Sequence, residues 1–423
     1  MYYITYKDTY YLRELQKKPY LCPVNTEKIR LFFQGRKGLL PRIAAACREH
    51  RDIIWFHVAS YGEFEEARPV IEATRARFPE RKILMTVFSP TVYVPMQHYA
   101  QVDWVFYLPL DTPWNVRRFL DAVRPAKAIF TITDYWPFLL GELRRRHIDT
   151  YIMSVRVEPD SKHLNWWDFN YRFIFRHWYR TVMVQNGQSR DLLLRLGVPD
   201  VRVTGDPRMD RVLALSAQDW SDPVVDAWCG GEKVFVAGST YAPEDRMVLE
   251  MAARHPGRKI LLIPHEPETA GAYGCVRYTE YEGKAPDERL LHAQILIVDT
   301  VGMLSRLYRY GYAAYVGGSF TEGAPHSVIE PAAYGIPVAF GPNSARDHHC
   351  QDLIAAGAGR SISNTAQLEA FAFEGDAPSV AKEKADAPSG ASPSATTLSG
   401  QAARAYCMAS AGATEKIMEI IFG

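Results

Sequence analysis

A histidine and a glutamate bracket the segment His57–Glu63, which reads His-Val-Ala-Ser-Tyr-Gly-Glu. The segment follows an apolar run and leads into helical spacing, so we predict that it connects a strand to a helix. Ligands of parallel sheets bind at the carboxyl ends of strands, where Ser60 and Gly62 would let a ligand approach the backbone. Glu63 would then be a general base that faces the ligand. The alternative is a carboxylate that only complements the helix dipole.

A second carboxylate, Asp134, follows another apolar run in the segment Thr131–Pro137. By the same topological argument it would lie beside the same ligand. The alternative is a helix N-cap, because aspartate caps helices well and Pro137 suits a first helical turn.

Paired glycines, Gly317 and Gly318, follow a third apolar run and are followed by Ser319. Glycines let the backbone approach a phosphate closely, and the N–H groups after them can bind it. His326 precedes Glu330 by four residues, a spacing that would place both on one face of a helix. In enzymes that use sugar nucleotides, such a glutamate accepts hydrogen bonds from a ribose. The pattern favours a donor-binding site.

Two further strand ends carry polar groups of the same kind. Ser239 and Thr240 follow one apolar run, where their hydroxyls would meet a phosphate or sugar or else cap the next helix. His265 follows the next run and would contact the donor phosphate or base, or else close a loop.

Short apolar runs that alternate with helical patterns must position these groups. Strands are predicted first at 53–59, 82–87, 127–133 and 150–155, and then at 233–238, 259–264, 294–298, 313–318 and 336–340. Such alternation is typical of parallel sheets that helices cover on both faces, and therefore of an α/β fold. A stretch rich in proline and aspartate separates the two series. We predict domains 1–211 and 212–423, with a flexible insertion at about 374–402 and a last helix at 411–421 in the second domain.

The composition excludes several classes of protein. Of the 423 residues, 47% are hydrophobic and 23% are charged, which is typical of a soluble globular protein. The formal net charge of +1 gives no overall positive electrostatic field that would indicate binding of nucleic acid. No run of about 18 apolar residues predicts a transmembrane helix. The six cysteines are dispersed, as expected of reduced thiols. His348, His349 and Cys350 are adjacent and would point in different directions, so we expect no metal.

Aromatic residues and arginines are interleaved across 165–180. Core packing would explain many of these rings, whereas a membrane interface with anionic head groups is the alternative. Arg36, Lys37 and Arg42 add positive charge near the start.

These motifs, in this order, resemble the bacterial 3-deoxy-D-manno-octulosonic acid (Kdo) transferases over about residues 26–360 and 411–421. The blocks that carry the resemblance are Ser60–Glu63, Leu108–Asp111, Asp134–Pro137, Val184–Asn186, Thr204–Asp210, Val316–Ser319, His326 and Glu330–Ala332.

The resemblance implies a GT-B fold, in which two Rossmann-like domains face each other across a cleft. It implies an inverting transfer of Kdo from CMP-Kdo to a lipid A precursor, lipid IVA, without a metal or a further cofactor. Glu63 would be the base, and Asp134 would be the second catalytic carboxylate. The acceptor would contact Ser60, Gly62 and Arg156.

The same resemblance assigns donor binding to residues that follow strands of the second domain, namely Ser239, Thr240, His265, Gly317, Gly318, Ser319, His326 and Glu330. It also implies a peripheral protein on the cytoplasmic face of the inner membrane. The chain departs from the family at Asp134, where a glutamate is typical, at His265, where many members carry Arg-His, and in the first 22 residues, which lack an apolar anchor.

Two other functions fit parts of the pattern. A sugar-nucleotide epimerase would share the glutamate of the donor domain but needs acid and base groups around the second carbon of the sugar. A non-catalytic binding protein fits the departures at Asp134 and at the N-terminus. The block around Glu63 favours transfer.

Overall fold

The computed structural model describes residues 26–132, 134–161, 169–320, 323–345, 347–373 and 395–423. It divides into two compact units. The first domain contains the described residues up to Asp210 together with Ala411–Gly423, and the second is Arg211–Ser410. The division lies one residue before the boundary that the sequence predicts.

In the described part of the first domain, seven parallel strands form one sheet. These strands are β1 Ile53–Val58, β2 Ile83–Val87, β3 Trp104–Tyr107, β4 Pro125–Thr131, β5 Asp149–Val155, β6 Thr181–Val184 and β7 Val201–Val203. Its helices, numbered from the first described residues, are α1 Thr26–Arg36, α2 Leu39–Cys47, α3 Tyr61–Arg77, α4 Pro90–Met96, α5 Pro113–Val123, α6 Pro137–Arg145, α7 Phe169–His177, α8 Gly187–Arg195 and α9 Pro207–Ala217. Helix α9 begins in this domain and ends in the next.

The described part of the second domain repeats this plan with another sheet of seven parallel strands. They are β8 Val234–Thr240, β9 Ile260–Pro264, β10 Val276–Arg277, β11 Ile295–Ile297, β12 Gly311–Val316, β13 Val338–Phe340 and β14 Gly359–Ser361. Its helices are α10 Pro223–Cys229, α11 Ala242–Arg254, α12 Glu288–Leu291, α13 Leu304–Leu307, α14 Ile329–Ala333, α15 His348–Ala355, α16 Thr365–Phe373 and α17 Ala395–Ala409. The last helix of the chain is α18, Ala413–Phe422.

Both sheets reverse their strand order beside their first strand. The first runs β3-β2-β1-β4-β5-β6-β7 and the second β10-β11-β9-β8-β12-β13-β14. All six residues of β1 are buried, since helices cover both faces of a parallel sheet. The predicted α/β fold with two Rossmann-like domains is confirmed. The reversals lie between β1 and β4 and between β8 and β12, and ligands of such sheets bind at these points.

The last helix differs from its prediction. Ile417, Met418 and Ile421 of α18 belong to the hydrophobic core of the first domain, and the Thr74 hydroxyl of α3 contacts the Met418 sulfur at 3.3 Å. Asp210 accepts the N–H groups of Gly412 and Thr414 at the start of α18, at 2.5 and 2.7 Å. The helix belongs to the first domain because its apolar face packs there.

The predicted insertion also ends earlier than expected. Residues 374–394 lie outside the described residues, but α17 begins at Ala395 inside the predicted segment. Small residues explain why: a Cβ on Gly400 would lie 2.3 Å from the Gly335 carbonyl oxygen, so the helix packs closely where the sequence reads as polar and irregular.

Core packing accounts for much of the aromatic segment that follows the undescribed residues 162–168. Tyr171, Ile174, Phe175 and Tyr179 are buried, and Phe173 is exposed. No helix among the described residues is long and apolar enough to cross a membrane.

Candidate active site

The switch point of the first sheet carries the predicted base. Ala59–Glu63 follows β1, and Ile132 follows the neighbouring strand β4. Ile132 has a φ of +62°, a left-handed conformation that is costly for a β-branched residue. Such strain persists only where the surrounding structure enforces it, and it is common at functional sites.

Glu63 is the third residue of α3 and is 8% exposed. Its Oε2 accepts the Ala59 N–H at 2.5 Å, and the Ser60 hydroxyl caps the helix by accepting the Glu63 N–H at 3.3 Å. Ser60 and Gly62, which precede Glu63 in the chain, are exposed. The carboxylate therefore lies at the helix start, as predicted, in a backbone contact that fixes its position.

Asp134 is 0% exposed, so its carboxylate is enclosed by protein. Oδ1 accepts the Trp136 indole N–H at 3.0 Å, and Oδ2 lies 3.9 Å from His57 Nε2. The Tyr179 hydroxyl donates to the Asp134 backbone carbonyl at 3.0 Å. These contacts hold the Asp134 carboxylate against the side chains of Trp136 and His57.

Asp134 does not cap the next helix, so the alternative prediction of a helix N-cap is wrong. The cap position of α6 is Trp136, which makes no side-chain cap bond. Asp111 provides the acceptors instead, since its carboxylate receives the N–H groups of Phe138 and Leu139 at 3.1 and 2.9 Å. The Leu108–Asp111 block thus has a structural role that its sequence did not reveal.

Arg156, the third predicted acceptor residue, follows β5 and pairs with Glu158 at 2.5 Å. Its side chain is 22% exposed. Arg156 lies at the carboxyl edge of the same sheet as Glu63. The strand that it follows, β5, is two strands from β1 and three from β2, because β4 lies between β1 and β5.

A buried network beside α3 was missed by the sequence analysis. Glu66, one turn after Glu63, is 4% exposed, and both its oxygens accept the Gln185 side-chain N–H group at 3.2 Å. Arg208 Nη2 lies 3.3 Å from Glu66 Oε1 and 2.6 Å from Asp206 Oδ2. An acidic residue in a helical pattern reads as solvent-exposed, and its partners here are more than a hundred residues away.

The switch point of the second sheet carries Ser239 and Thr240, which end β8. Ser239 has a φ of +52°, whereas Thr240 is 1% exposed. β12 pairs with β8, and it leads directly into Gly317 and Gly318. The predicted hydroxyls and glycines therefore share one edge of the second sheet.

Glu244, the third residue of α11, organises this loop and was also missed. Its carboxylate accepts the Gly318 N–H at 3.0 and 3.1 Å, the Tyr315 hydroxyl at 2.9 Å and the Tyr241 N–H at 2.9 Å. A Cβ on Gly317 would lie 2.4 Å from the Ser239 carbonyl oxygen and 2.6 Å from Glu244 Oε2. Gly317 is required because the two loops touch, and the Gly318 N–H donates to a carboxylate.

Ser319 is fully buried and joins adjacent strand ends. Its hydroxyl accepts the Gly341 N–H at 2.7 Å, and its carbonyl accepts the Asn343 N–H at 3.2 Å. Ser319 thus holds the loop after β13 against the loop after β12.

Three rings stack above these loops. His265 and His326 are parallel, with centroids 4.5 Å apart and an interplanar angle of 16°, and Tyr241 lies 4.8 Å from His265. Burial, and to a lesser extent the charge of His265, lowers the pKa of His326 to about 4. His326 is therefore neutral at pH 7 and can exchange hydrogen bonds with a ligand without adding charge.

The expected helical face shared by His326 and Glu330 is wrong, because α14 begins only at Ile329. His326 precedes the helix, and its N–H donates to the Gly317 carbonyl at 3.0 Å. Glu330 lies in the first turn and is half-buried. Its charge contributes, after burial, to raising the pKa of the enclosed Tyr308 hydroxyl.

Comparison with known sequences identifies relatives of the chain. Residues 33–211 match the family described as 3-deoxy-D-manno-octulosonic-acid transferase (kdotransferase). The 3-deoxy-D-manno-octulosonic acid transferase of Haemophilus influenzae is 27% identical over 311 residues, which cover 69% of this chain and 71% of the relative. That of Aquifex aeolicus is 25% identical over 348 residues, which cover 79% and 89%.

Solved structures share the fold. A UDP-N-acetylglucosamine 2-epimerase from Neisseria meningitidis, bound to UDP-GlcNAc, has a TM-score of 0.58 and 12% identity, covering 88% of this chain and 99% of that chain. A putative UDP-N-acetylglucosamine 2-epimerase from Listeria monocytogenes has a TM-score of 0.58 and 15% identity, covering 88% and 96%. These likenesses confirm the predicted GT-B class of fold.

Proposed function

Because this chain is a relative of the Kdo transferases, we propose that it is an inverting glycosyltransferase of lipopolysaccharide synthesis, which moves Kdo from CMP-Kdo to the lipid A precursor lipid IVA. The observation that carries the proposal is the position of Glu63. This carboxylate stands at the switch point of the first sheet, in the part of the chain that matches the family.

Glu63 would act as the general base. The acceptor hydroxyl loses its proton to the carboxylate as its oxygen bonds to the anomeric carbon of Kdo. The bond from that carbon to the CMP phosphate oxygen breaks on the opposite face, so the configuration inverts and CMP leaves with the bonding electrons. The contact with the Ala59 N–H holds the carboxylate in place, while exposed Ser60 and Gly62 leave space for an acceptor.

The second domain would bind the donor. Ser239, Thr240 and the Gly317–Ser319 loop lie at its switch point, where phosphates of nucleotides bind in folds of this kind. The neutral ring of His326 and the stacked ring of His265 would offer hydrogen bonds and a stacking surface for the nucleotide, and half-buried Glu330 would accept from ribose hydroxyls. Asp134, being enclosed, would support the base side through His57 and Trp136 without contacting substrate.

The test is transfer of Kdo from freshly generated CMP-Kdo to a tetraacyl lipid A precursor. Glu63→Gln keeps an acceptor for the Ala59 N–H but removes the base, so activity should fall by about 10²-fold or more with the fold intact. Glu65→Gln is the matched control, since Glu65 is on the same helix and pairs with Arg68 at the surface at 3.4 Å. Full activity of Glu63→Gln would refute the assignment of the base.

The same assay separates the alternatives. An epimerase would change the configuration of a sugar nucleotide without an acceptor, and a binding protein would retain CMP without turnover. Absence of Kdo transfer by the natural protein, together with either result, would replace the proposed function.

We also propose that the protein works peripherally at the cytoplasmic face of the inner membrane. Large apolar side chains of the first domain are exposed, including Phe33 at 63%, Trp114 at 61% and Val94 at 53%. Arg118 lies 4.4 Å from the Trp114 ring, which suits an interface with anionic head groups. Arg36 is engaged elsewhere, since it donates to the carbonyls of Phe88 and Leu108 at 3.1 and 3.2 Å.

Flotation with lipid vesicles tests this placement. The natural protein should bind vesicles that contain anionic lipid, and Phe33→Ser combined with Trp114→Ser should release it. Met408→Ser is a control, because this side chain is equally exposed, at 61%, in the second domain. Unchanged binding of the double variant would exclude these side chains from the contact.

A further inference from the structure

A cavity of about 390 Å³ opens at the amino-terminal edge of the first sheet, and neither the transfer reaction nor the membrane contact uses it. All of its lining residues belong to the first domain, which includes α18. Ile54 in its wall is the second residue of β1, whereas Glu63 follows the other end of that strand. Because strands rise about 3.3 Å per residue, the length of β1 separates the cavity from the candidate base. A molecule in the cavity would therefore leave the place of the acceptor open.

One wall of this cavity is apolar. Phe78 and Phe422 are both half-buried, and their ring centroids are 5.1 Å apart. The last turn of α18 adds Ile420 and Ile421, and Ile54 of β1 is 3% exposed. The volume of the cavity lies within the range of about 300–1,000 Å³ that small-molecule sites occupy. The apolar wall would bury the rings of a small ligand.

The other wall is charged. Lys127 of β4 is the register partner of Asp149 in β5 and of Ile54 in β1, so these three side chains point to the same face of the sheet. Arg180 donates to Asp149 Oδ1 at 2.7 Å, whereas Lys127 Nζ lies 3.7 Å from Oδ2, which is too far for a hydrogen bond. Arg81 lines the same cavity. The lining therefore carries three cationic side chains and one carboxylate side chain.

Lys127 joins the two walls. Its Nζ lies 5.5 Å from the centroid of the Tyr151 ring and 5.9 Å from that of the Phe422 ring, and its side chain is 26% exposed. A lysine stem often packs along apolar surface while its ammonium group stays in a polar environment, which is the simpler explanation of Lys127 taken alone. That explanation does not account for the unfilled volume beside Lys127 or for the surplus of positive side chains around it.

We propose that this cavity binds a small soluble anion with an aromatic body, whose sulfonate, phosphate or carboxylate group pairs with Lys127 and Arg81. An anionic group matches the surplus positive charge, and it would accept from the Lys127 ammonium the hydrogen bond that Asp149 is too distant to accept. Its rings would pack on Phe78 and Phe422, since aromatic rings prefer offset or edge-to-face contacts at centroid distances of about 4.5–7 Å. The inference is independent of the role of Glu63.

Fluorescence titration of the 423-residue protein with 8-anilinonaphthalene-1-sulfonate tests the site. The matched probe is N-phenyl-1-naphthylamine, because it has the same rings without the sulfonate. Lys127→Gln should weaken binding of the sulfonate about tenfold, the effect of one hydrogen bond to a charged group, and should leave binding of the neutral probe unchanged. Lys127→Arg keeps the charge and should restore the affinity. Arg81→Gln, at an exposed position, should weaken binding of the sulfonate about threefold and decides the matter if Lys127→Gln folds poorly.

Two controls separate this cavity from other places where the sulfonate could bind. Arg118→Gln removes a cation beside the exposed Trp114 ring and should leave the affinity unchanged. Saturating CMP should displace none of the probe. The proposal would be overturned if the natural protein showed no saturable binding, or if Lys127→Gln weakened the binding of both probes equally. It would also be overturned if Arg118→Gln or CMP, and not the substitutions of Lys127 and Arg81, reduced the binding of the sulfonate.

Discussion

Replacing Glu244 with alanine should destabilise the second domain and prevent nucleotide binding. The carboxylate is 1% exposed and satisfies three donors, namely the N–H groups of Gly318 and Tyr241 and the hydroxyl of Tyr315. Each buried donor that loses its partner costs about 1–3 kcal/mol. The free energy of unfolding should therefore fall by about 3 kcal/mol or more.

Glu244→Gln should be much milder. The Oε2 position contacts the two N–H groups, and an amide oxygen there can accept both of them. The amide NH₂ would then face the Tyr315 hydroxyl, which can rotate to accept. We expect a loss of about 1 kcal/mol, since charge-assisted hydrogen bonds become neutral ones.

Urea unfolding followed by circular dichroism, and calorimetric titration with CMP, measure the two effects. Glu250→Ala on the same helix is the control, because Glu250 is exposed and bonds only at the surface to Thr365 at 2.9 Å. It should change the stability by no more than about 0.5 kcal/mol. If Glu244→Ala is as stable as this control and binds CMP normally, the hydrogen bonds between Glu244 and the Gly318 N–H do not organise the loop.

Other substitutions test the remaining contacts. Gly317→Ala should weaken CMP binding about tenfold, because its Cβ would lie 2.4 Å from the Ser239 carbonyl oxygen. Gly62→Ala should leave the free energy of unfolding unchanged, since the nearest contact of its Cβ would be the Ser60 hydroxyl at 3.9 Å. Asp111→Ala should lower the free energy of unfolding by about 1–2 kcal/mol by removing the cap of α6, which urea unfolding would measure. Between pH 4.5 and pH 8, the free energy of unfolding of Glu66→Gln should increase by about 3 kcal/mol relative to that of the natural protein. Because the pKa of Glu66 is raised to about 7 in the folded protein, the natural protein loses stability as the pH rises and this carboxyl ionises, whereas the glutamine does not titrate. Equal pH dependence of the two unfolding curves would contradict this.

The central strands could be predicted because their burial is written into the sequence. All residues of β1 and β2 are buried, and β9 is likewise enclosed, so each appears as an apolar run, which is interrupted only by His57 in β1 and by Thr86 in β2. The edge strands β3, β7, β10 and β14 were missed, and so was the short buried strand β6. β7 has three residues that are half-buried or exposed, and β10 has only two residues. Short strands at sheet edges contact neighbours on one side only and need no apolar run.

The positions of the candidate site residues followed from topology, whereas their contacts did not. Sequence placed Glu63, Ser239 and Gly317 at strand ends because parallel strands end on one edge of a sheet. It could not show that Glu244 bonds to Gly318 or that Asp111 caps a helix, since these partners are 74 and 28 residues apart. The short spacings between residues within a motif carry no information about contacts between residues so far apart in the chain.

Glu63 and Glu244 occupy equivalent places, and their different surroundings support the proposed role of Glu63 as the base. Each is the third residue of the helix that follows the first strand of its domain. Glu244 accepts three donors in an enclosed loop and follows Pro243, so its hydrogen bonds maintain the backbone around Gly318. Glu63 follows three exposed residues, Ser60, Tyr61 and Gly62, so under the proposed function an acceptor hydroxyl would approach the start of its helix. The same helix position thus organises the Gly318 loop in the second domain and, under the proposed function, provides the proton acceptor in the first.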